Sequence, residues 1–325
     1  MATELRTAEQ LSQLVVLLRS HLPLSGHAFH VVKFKLENRF PDPNIMKPTC
    51  AVDSWPNPKL VWCSFLEPAG RFEPTSAYVT IFATEPSCLC VDEVHEFFIK
   101  CAPYGNVLNR NLLYFGSFSV SAVVTEGIGT GIAALQPSWH VKRERLELWY
   151  KPGYDIGSSS SGQHAISNFD DTCYELSEVK LPAGLMVDRV RTEEEVAFVD
   201  SVWPHRRPGS VDVWKGRMSL PHVALRLKGT KESDVSGKLV AFMFTNFFGF
   251  GNHGFVVEEW RGKNLVASLV RLIHAQYRNW AIYPYGMVVP GNESSRRALS
   301  KNQWVQHEQH IDLIAVSFPP INSRL

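Results

Sequence analysis

The sequence predicts a mixed α+β (α/β) fold, and three observations lead to this prediction. First, the chain has 325 residues, of which 45% are apolar, so it is long enough for two domains of roughly 100–200 residues, each with its own core. Second, helix-capping signals alternate with short runs rich in β-branched and aromatic residues. Third, three strand-like runs follow one another in the second half, which is not the order of a doubly wound fold.

The first half of the chain is predicted to begin with an amphipathic helix. Thr7-Ala8-Glu9-Gln10 has the form of a capping box, and the apolar residues that follow are spaced for one helix face. Pro23 and Gly26 are expected to end this helix. The other elements predicted in this half are strands at His30–Leu36, Leu60–Phe65 and Tyr78–Ala83, a helix at Val91–Cys101 and a strand at Arg145–Tyr150.

A change of composition indicates where two domains meet. Residues Lys151–Asp171 contain four consecutive serines and three glycines, which is typical of a linker. We therefore predict domains at residues 1–165 and 166–325. The second domain is predicted to contain strands at Met186–Arg191, His222–Leu227, Lys238–Phe248, His253–Val257, Ala281–Val288, Trp304–Glu308 and Ile311–Phe318, and helices after the cap Thr192–Glu195 and at Val211–Ser219, Gly262–Arg278 and Asn292–Asn302.

Charge and hydropathy exclude several classes of function. The chain has 33 Lys and Arg residues and 32 Asp and Glu residues, a formal net charge of +1, so we expect neither nucleic acid nor an anionic membrane surface as a partner. No apolar run approaches the ~20 residues that span a bilayer. Glu4 and Glu9 argue against a secretory signal, while a short mitochondrial presequence stays open.

Cysteine and histidine spacing gives no indication of a metal site. The six cysteines show no Cys-x-x-Cys pattern, so we expect them to be reduced and mostly buried. The twelve histidines form no His-Glu-x-x-His motif, and His307 and His310 are expected to lie on two faces of a hairpin. The sequence therefore predicts no metal.

One segment combines features that suit a phosphate site. Residues 255–266 read FVVEEWRGKNLV, a strand followed by a basic, glycine-containing turn and a helix. The unsatisfied N–H groups of a helix N-terminus carry about half a positive charge and can bind a pyrophosphate. Arg261 and Lys263 would add charge-assisted contacts. An ordinary basic turn between a strand and a helix is the alternative interpretation.

This segment resembles the pyrophosphate loop of the acyl-CoA N-acyltransferase (GNAT) superfamily, whose pattern at such a junction is Arg/Gln-x-x-Gly-x-Gly/Ala. Arg261, Gly262 and Lys263 match its frequent opening, whereas Asn264 and Val266 stand where the superfamily prefers glycine and a small residue.

A second motif lies downstream of this turn. Residues 292–304 resemble the superfamily element Asn-x-x-Ser/Ala-x-x-x-Tyr-x-Lys-x-Gly-Phe, with Leu299 at the tyrosine position and Gln303 at the glycine position. The spacing of the superfamily element is kept, and two of its residues differ from the pattern.

Nearly the whole chain is similar to the glycine N-acyltransferase family and its glycine N-acyltransferase-like relatives. The resemblance implies two tandem GNAT-like domains, of which the N-terminal one is degenerate. The segments that carry it are AVDSWP at 51–56, SWHVK at 138–142, FVDSVW at 198–203, EWR at 259–261, LV at 265–266 and HAQ at 274–276.

The resemblance implies transfer of an acyl group from acyl-CoA to the amino group of glycine or a similar small amine. The amine attacks the thioester directly, so acyl-CoA is a co-substrate and no cofactor is bound permanently. The strand from His253 to Val257 would bind the thioester and the pantetheine, and the turn after it would bind the diphosphate. The coenzyme-binding residues implied are Phe255, Val256, Val257, Arg261, Gly262, Lys263, Asn264, Leu265, Val266 and Asn292.

The proton acceptor is harder to assign, because Phe250 occupies the position of the glutamate that the family uses. His253 is the nearest titratable side chain, and its reference pKa of about 6.5 suits a base. A strand bulge could turn it toward the same cavity, while a packing or surface histidine is the alternative. Transfer to a different amine, and an acyl-CoA-binding scaffold with weak or no transfer activity, both stay open.

The C-terminal residues suggest a location in the cell. Ser323-Arg324-Leu325 is close to the peroxisomal address Ser-Lys-Leu. Members of the family tend to be mitochondrial, so a mitochondrial or cytoplasmic location is the alternative to a peroxisomal one.

Overall fold

The computed structural model describes residues 2–67, 76–104, 112–117, 122–135, 137–154, 179–204, 206, 209–228 and 237–317. The chain forms two compact units, Met1–Leu148 with His307–Leu325, and Trp149–Gln306. The predicted domain boundary at residue 165 and the C-terminal Ser323-Arg324-Leu325 lie outside the described residues and stay predictions. None of the helices in the described ranges is long and apolar enough to cross a membrane.

The first unit is built on a sheet whose strands follow the order β1-β2-β3-β4-β5-β12-β6. The pair β4–β5 is parallel, whereas β1–β2, β2–β3, β3–β4 and β5–β12 are antiparallel. Its strands are β1 (Thr3–Glu4), β2 (Thr49–Val52), β3 (Leu60–Leu66), β4 (Ser76–Ala83), β5 (Leu112–Ser117), β6 (His140–Tyr150) and β12 (Val305–Ser317), and its helices are α1 (Ala8–Arg19), α2 (Gly26–Leu36), α3 (Pro43–Met46), α4 (Val91–Cys101) and α5 (Ala122–Leu135).

Helix α1 begins where the sequence predicts it. Thr7 and Gln10 form both hydrogen bonds of the capping box, and Leu11, Leu14 and Leu18 are buried. Helix α4 and strands β3, β4 and β6 likewise confirm predictions.

The predicted strand His30–Leu36 is wrong, because this segment lies in helix α2. Nine of the eleven residues of α2 are buried, so its apolar residues do not mark one face, and Val31 and Val32 favour a strand locally. Tertiary burial on nearly all sides therefore overrides the local pattern.

Helix α5 is not among the elements predicted from the sequence. Its glycines lower helix propensity, but two of them allow close contact with α4. A Cβ atom at Gly127 would lie 2.5 Å from Val94 Cβ, and one at Gly131 would lie 2.5 Å from Phe98 Cδ1. Small residues are thus required where the two helices meet.

The predicted pair of final strands is also wrong, because β12 runs without a break. His307 and His310 both lie within this strand rather than in a hairpin. The polar run before Ile311 resembles a turn in the sequence, yet its backbone is extended.

The cysteines are only partly buried. Cys50, Cys63 and Cys101 are buried free thiols, whereas Cys88 and Cys90 are free and exposed. Cys90 lies outside the core because it is the N-cap of α4. The expected burial is therefore wrong for two of the five described cysteines.

The second unit contains a smaller sheet in which β10, β9, β8 and β7 follow one another, each antiparallel to the next. The capping box predicted at Thr192 is present in full. The strands are β7 (Leu185–Asp188), β8 (His222–Leu227), β9 (Leu239–Thr245), β10 (Gly251–Val256) and β11 (Tyr285–Val288), and the helices are α6 (Glu193–Ser201), α7 (Ser210–Arg217), α8 (Leu265–Asn279) and α9 (Glu293–Lys301).

The two faces of strand β9 pack against different helices. Phe242 and Phe244 share one core cluster with Val199 of α6 and Trp214 of α7. On the opposite face Thr245 donates a hydrogen bond to Tyr277 Oη of α8, at 3.1 Å. Alternation along the strand thus separates an aromatic face from the face that carries α8.

Candidate functional site

Strand β10 has one paired edge, and no other strand of the described residues pairs with its second, open edge. It pairs with β9, and β11, the next strand of this unit, is not its hydrogen-bonded neighbour. Val257 N–H donates to Val240 O at 2.9 Å, and Val256 lies opposite Ala241. Because hydrogen-bonded and non-hydrogen-bonded pairs alternate in antiparallel strands, the backbone N–H and C=O of Val256 point to the open edge.

A β-bulge interrupts β10 before this open segment. Asn252 lies opposite Phe244 and Phe255 lies opposite Phe242, so two residues of β10 face only one of β9. His253 takes a positive φ of 51° within the bulge, which is rare for a residue with a side chain. The bulge considered for His253 on the basis of the sequence is therefore present.

The ring of His253 lies on the aromatic face of the sheet. Its centroid is 4.9 Å from that of Trp214 and 5.2 Å from that of Phe242. Its Nε2 lies 3.3 Å from the carbonyl oxygen of Val199, which in a neutral ring assigns the proton to Nε2 and the lone pair to Nδ1. The imidazole is half-buried, and its role as a base stays a prediction.

Phe250 occupies the hairpin between β9 and β10. Its side chain is 7% exposed and packs edge-on against Tyr285, with ring centroids 5.6 Å apart. Asn246 Oδ1 accepts hydrogen bonds from the N–H groups of Phe248 and Phe250 at 3.0 and 3.3 Å. The position expected for a glutamate base therefore holds a packed aromatic ring that cannot accept a proton.

The turn between β10 and α8 has an unusual backbone. Gly262 and Asn264 have φ values of 76° and 66°. A Cβ atom at Gly262 would meet nothing within 4 Å, so glycine is favoured there by its backbone conformation. Asn264 tolerates the left-handed region better than most residues.

Helix α8 begins without a side-chain cap. Its N-cap Asn264 makes no capping hydrogen bond with its side chain, and the helical pattern starts with Ser268 N–H donating to Asn264 O at 3.3 Å. The N–H groups of the first turn therefore lack intrahelical acceptors. By contrast, Thr192 caps α6 and Asn292 caps α9.

Three cationic side chains surround this uncapped end. Arg261 Nε donates to the outward-facing Val256 O at 3.2 Å, and Lys263 Nζ lies 4.0 Å from the ring centroid of Trp260. Lys301 Nζ, from the last turn of α9, donates to Asn264 Oδ1 at 2.6 Å. These three cations and the helix dipole together attract an anion.

Asn302 fixes the end of α9 beside α8. Its Nδ2 donates to Ala267 O and to Ala298 O, both at 2.9 Å, and its Oδ1 accepts from Arg271 Nε at 3.3 Å. Because Asn302 is 7% exposed, these contacts hold the backbone at the end of α9, and with it Lys301, near the turn. Lys301 stands at the lysine position of the motif at residues 292–304, and it is not among the coenzyme-binding residues that the resemblance implies.

All the predicted coenzyme residues except Asn292 lie along one continuous path, from the end of β10 through the turn to the start of α8. Phe255, Val256 and Val257 follow the bulge, and residues 261–266 form the turn and the start of α8. Leu265 is buried and Val266 half-buried. Asn292 lies at the opposite end of α9 from Lys301, about 13 Å away along the helix, where its Oδ1 accepts from Ser295 N–H at 3.1 Å.

The chain resembles known proteins in its structure and not in its sequence. No protein-family model matches the chain, and no curated protein matches its sequence.

Several solved structures resemble the chain at low sequence identity. A Drosophila protein solved by X-ray crystallography is 12% identical, with a TM-score of 0.66 and coverage of 98% of both chains. A protein from Pyrococcus horikoshii, provisionally described as an acetyltransferase, is 9% identical, with a TM-score of 0.51 over 100% of this chain and 91% of its own. A tandem GNAT protein from the clavulanic acid biosynthesis pathway is 13% identical, with a TM-score of 0.49 over 98% of both chains. The first two likenesses confirm the predicted mixed α+β fold, which the chain shares along its whole length with the Pyrococcus protein.

Proposed function

We propose that the second unit binds acyl-CoA and transfers its acyl group to the amino group of a small amine such as glycine. The observation that carries this proposal is the course of β10, whose open edge leads into a cationic turn at an uncapped helix. An open backbone edge can bind the thioester end of acyl-CoA, and a cationic helix N-terminus can bind its diphosphate. The two surfaces follow each other along the chain, as the two groups do along the coenzyme. The likeness in fold to a structure described as an acetyltransferase supports the proposal.

The diphosphate is proposed to bind at the turn. The first N–H groups of α8 donate to its oxygens, and Arg261, Lys263 and Lys301 neutralise its charge. Asn264 presents its side chain to Lys301 rather than to its own helix, so the N–H groups stay available to the phosphates.

The acyl-pantetheine arm is proposed to lie along the open edge of β10. The N–H of Val256 can donate to a carbonyl oxygen of the arm or of the thioester. During transfer the amine nitrogen bonds to the thioester carbon, the carbon–sulfur bond breaks and CoA leaves as a thiolate. The amine gives up one proton and the thiolate takes one up, so the products are an N-acyl amine and free CoA.

His253 is proposed as the group that removes the amine proton. Packing against Trp214 and the contact with Val199 O hold its ring on the aromatic face, at the bulge that precedes the open segment of β10. General base catalysis by a positioned side chain contributes about 10²–10⁴-fold. A small amine can also react without it, because proximity by itself lowers the barrier.

A second candidate function is acyl-CoA binding without turnover. The observation that favours it is Phe250, which is packed against Tyr285 where the resembling family has its base. Under this function the turn would bind the coenzyme and no amine would increase CoA release.

Free CoA thiol can be measured for a panel of acyl-CoAs, with and without glycine. We expect glycine to increase release by the wild type, and His253→Ala to lower the rate constant about 10²–10⁴-fold while acyl-CoA still binds. Lys215→Gln is the matched control, because Lys215 is an exposed cation of the same unit, 3.0 Å from Glu193. If acyl-CoA binds but no amine stimulates release, the binding function replaces the transferase.

A further inference from the structure

A cavity of about 340 Å³ lies at the surface of the first unit, where neither the coenzyme turn nor strand β10 contributes to it. Its lining includes Glu4, which ends β1, and Thr49, which begins β2. It also includes Lys35 in the last turn of α2, Asn38 just after that helix, and Lys47 at the end of α3. Cavities that bind small molecules have volumes of about 300–1,000 Å³, so this one can hold a small ligand.

Part of the cavity lining is apolar and rigid. Phe40, Pro43 and Pro48 contribute to it. Phe40 is 4% exposed and packs against Phe65, with ring centroids 5.6 Å apart, so the core holds its ring in place. The prolines have a fixed φ and no N–H group. An apolar part of a ligand can therefore contact this surface without ordering mobile side chains.

The two lysines of the lining have no counter-ion. Among the residues that the structure describes, no ion pair or hydrogen bond involves the ammonium group of Lys35 or of Lys47. Each lies at the C-terminal end of a helix, where the helix dipole favours a cation. This interaction leaves the three N–H donors of each ammonium group available to a ligand.

The carboxylates around the cavity have other partners. Glu4, the acidic residue of the lining, accepts a hydrogen bond from Arg6 Nη2 at 2.6 Å. Asp42 caps α3, where its Oδ1 accepts from the N–H groups of Asn44 and Ile45 at 3.0 and 3.1 Å. With two lysines and one glutamate, the lining carries a net charge of +1, which matches the charge of a monoanion.

The backbone at Lys47 supports a role for its side chain. Lys47 has a φ of 45°, in the left-handed region. Residues with this conformation at a helix end are usually glycine or asparagine, and Asn38, with a φ of 53° after α2, follows that rule. Lysine is disfavoured in the left-handed region, so the turn alone does not explain its presence. A contact between its ammonium group and a ligand would explain it.

We propose that this cavity binds a small organic monocarboxylate. The carboxylate accepts hydrogen bonds from the ammonium groups of Lys35 and Lys47, and the apolar part of the ligand lies on Phe40 and the two prolines. A phosphate monoester fits less well, because its charge of about −1.5 to −2 exceeds that of the lining and is repelled by Glu4. This binding site goes beyond the proposed transfer reaction and does not depend on it.

Calorimetric titration with cyclohexanecarboxylate tests this inference, since the probe joins one carboxylate to a compact apolar ring. We expect one molecule to bind per chain. Affinity should be about tenfold lower for cyclohexanecarboxamide, which lacks the charge, and for acetate, which lacks the ring. Lys35→Gln and Lys47→Gln should each weaken binding about five- to tenfold, whereas Lys47→Arg, which keeps the charge, should retain most of it.

The matched control is Lys59→Gln, because Lys59 is an exposed lysine of the same unit that is not part of the lining. The inference is overturned if the wild type does not bind cyclohexanecarboxylate, or if the carboxamide binds equally well. Unchanged affinity in the double variant Lys35→Gln, Lys47→Gln, or an equal loss in Lys59→Gln, would also overturn it. The titration contains no coenzyme, so its failure is distinguishable from a failure of the CoA-release assay.

Discussion

Two arginines of the second unit are almost equally buried, yet only one of them forms ion pairs with the residues that the structure describes. Arg226 in β8 is 2% exposed and Arg217 in α7 is 4% exposed. Arg226 is satisfied by two carboxylates and two carbonyl oxygens, whereas Nε and Nη1 of Arg217 have no acceptor. The comparison teaches that equal burial does not mean an equal contribution to stability, because a paired guanidinium stabilises its partners and an unpaired one does not.

The partners of Arg226 lie in β7, in α6 and in two loop positions. Its Nε donates to Asp188 Oδ2 at 2.6 Å, and its Nη2 donates to Glu195 Oε2 at 2.8 Å and to Arg189 O at 2.6 Å. Nη1 donates to Gly237 O at 3.2 Å. Hydrogen bonds to Glu195 are the main cause that raises the pKa of Arg226, so this network ties β7, β8 and α6 together.

The largest expected effect is the loss of stability in Arg226→Met. Removing the guanidinium leaves the Asp188 and Glu195 carboxylates without their main cation, and breaking such a buried pair typically costs about 3–5 kcal/mol. Urea unfolding followed by circular dichroism measures the change in free energy. A loss below about 1 kcal/mol would contradict the structural role given to Arg226.

Neutralising all three groups should recover part of this loss. In the triple variant Arg226→Met, Asp188→Asn, Glu195→Gln neither carboxylate is left charged without Arg226, and only the exposed Arg191 loses its pairing with Asp188. Glutamine at position 195 can still serve the capping box. We expect it to regain about 1–3 kcal/mol over Arg226→Met. No recovery in the same urea experiment would mean that packing, rather than charge, dominates at Arg226.

These electrostatic contacts also predict a pH dependence. Burial opposes ionisation of Glu195, but hydrogen bonds from Arg226 and from the N–H of Arg191 outweigh it and lower its pKa below the ordinary value of 4.5. Because the folded-state pKa is depressed, this stabilisation is present above about pH 4.5 and is lost as the pH falls through the lower folded-state pKa. Unfolding free energies between pH 6 and pH 3 should therefore fall less steeply in Glu195→Gln than in the wild type.

The smallest effect on stability is expected for Arg217→Met. Loss of stacking on Trp214 is offset by removal of an unpaired buried charge, so the free energy of unfolding should change by less than about 1 kcal/mol. Urea unfolding beside Arg226→Met gives a direct comparison. A loss as large as that of Arg226→Met would show that Arg217 is a structural residue with a partner in the folded protein.

The elements that the sequence predicts correctly are those with local signals. The capping boxes at Thr7 and Thr192 bring their partners within three residues, and both form as predicted. Helix α2 is not predicted, because burial on nearly all sides removes its periodicity. The sequence predicts two strands where the structure has the single strand β12, because a polar run resembles a turn when its sheet neighbours are unknown.

The candidate site also combines local features, which the sequence shows, with tertiary contacts, which it does not. The turn at Arg261–Asn264 is visible in the sequence as a short motif, and its two positive φ values fit that motif. The contact of Lys301 with Asn264 joins residues 37 positions apart, so local spacing does not reveal it. The missing partners of Arg217 are a tertiary property, which no pattern in the sequence could show.

The central claim, that the turn before α8 binds the diphosphate of a coenzyme, is tested most directly by calorimetric titration of the protein with CoA. We predict one CoA bound per chain, with affinity reduced about tenfold in Lys301→Gln and unchanged in Lys215→Gln. Failure of the wild-type protein to bind CoA, or equal affinity in all three proteins, would contradict the claim.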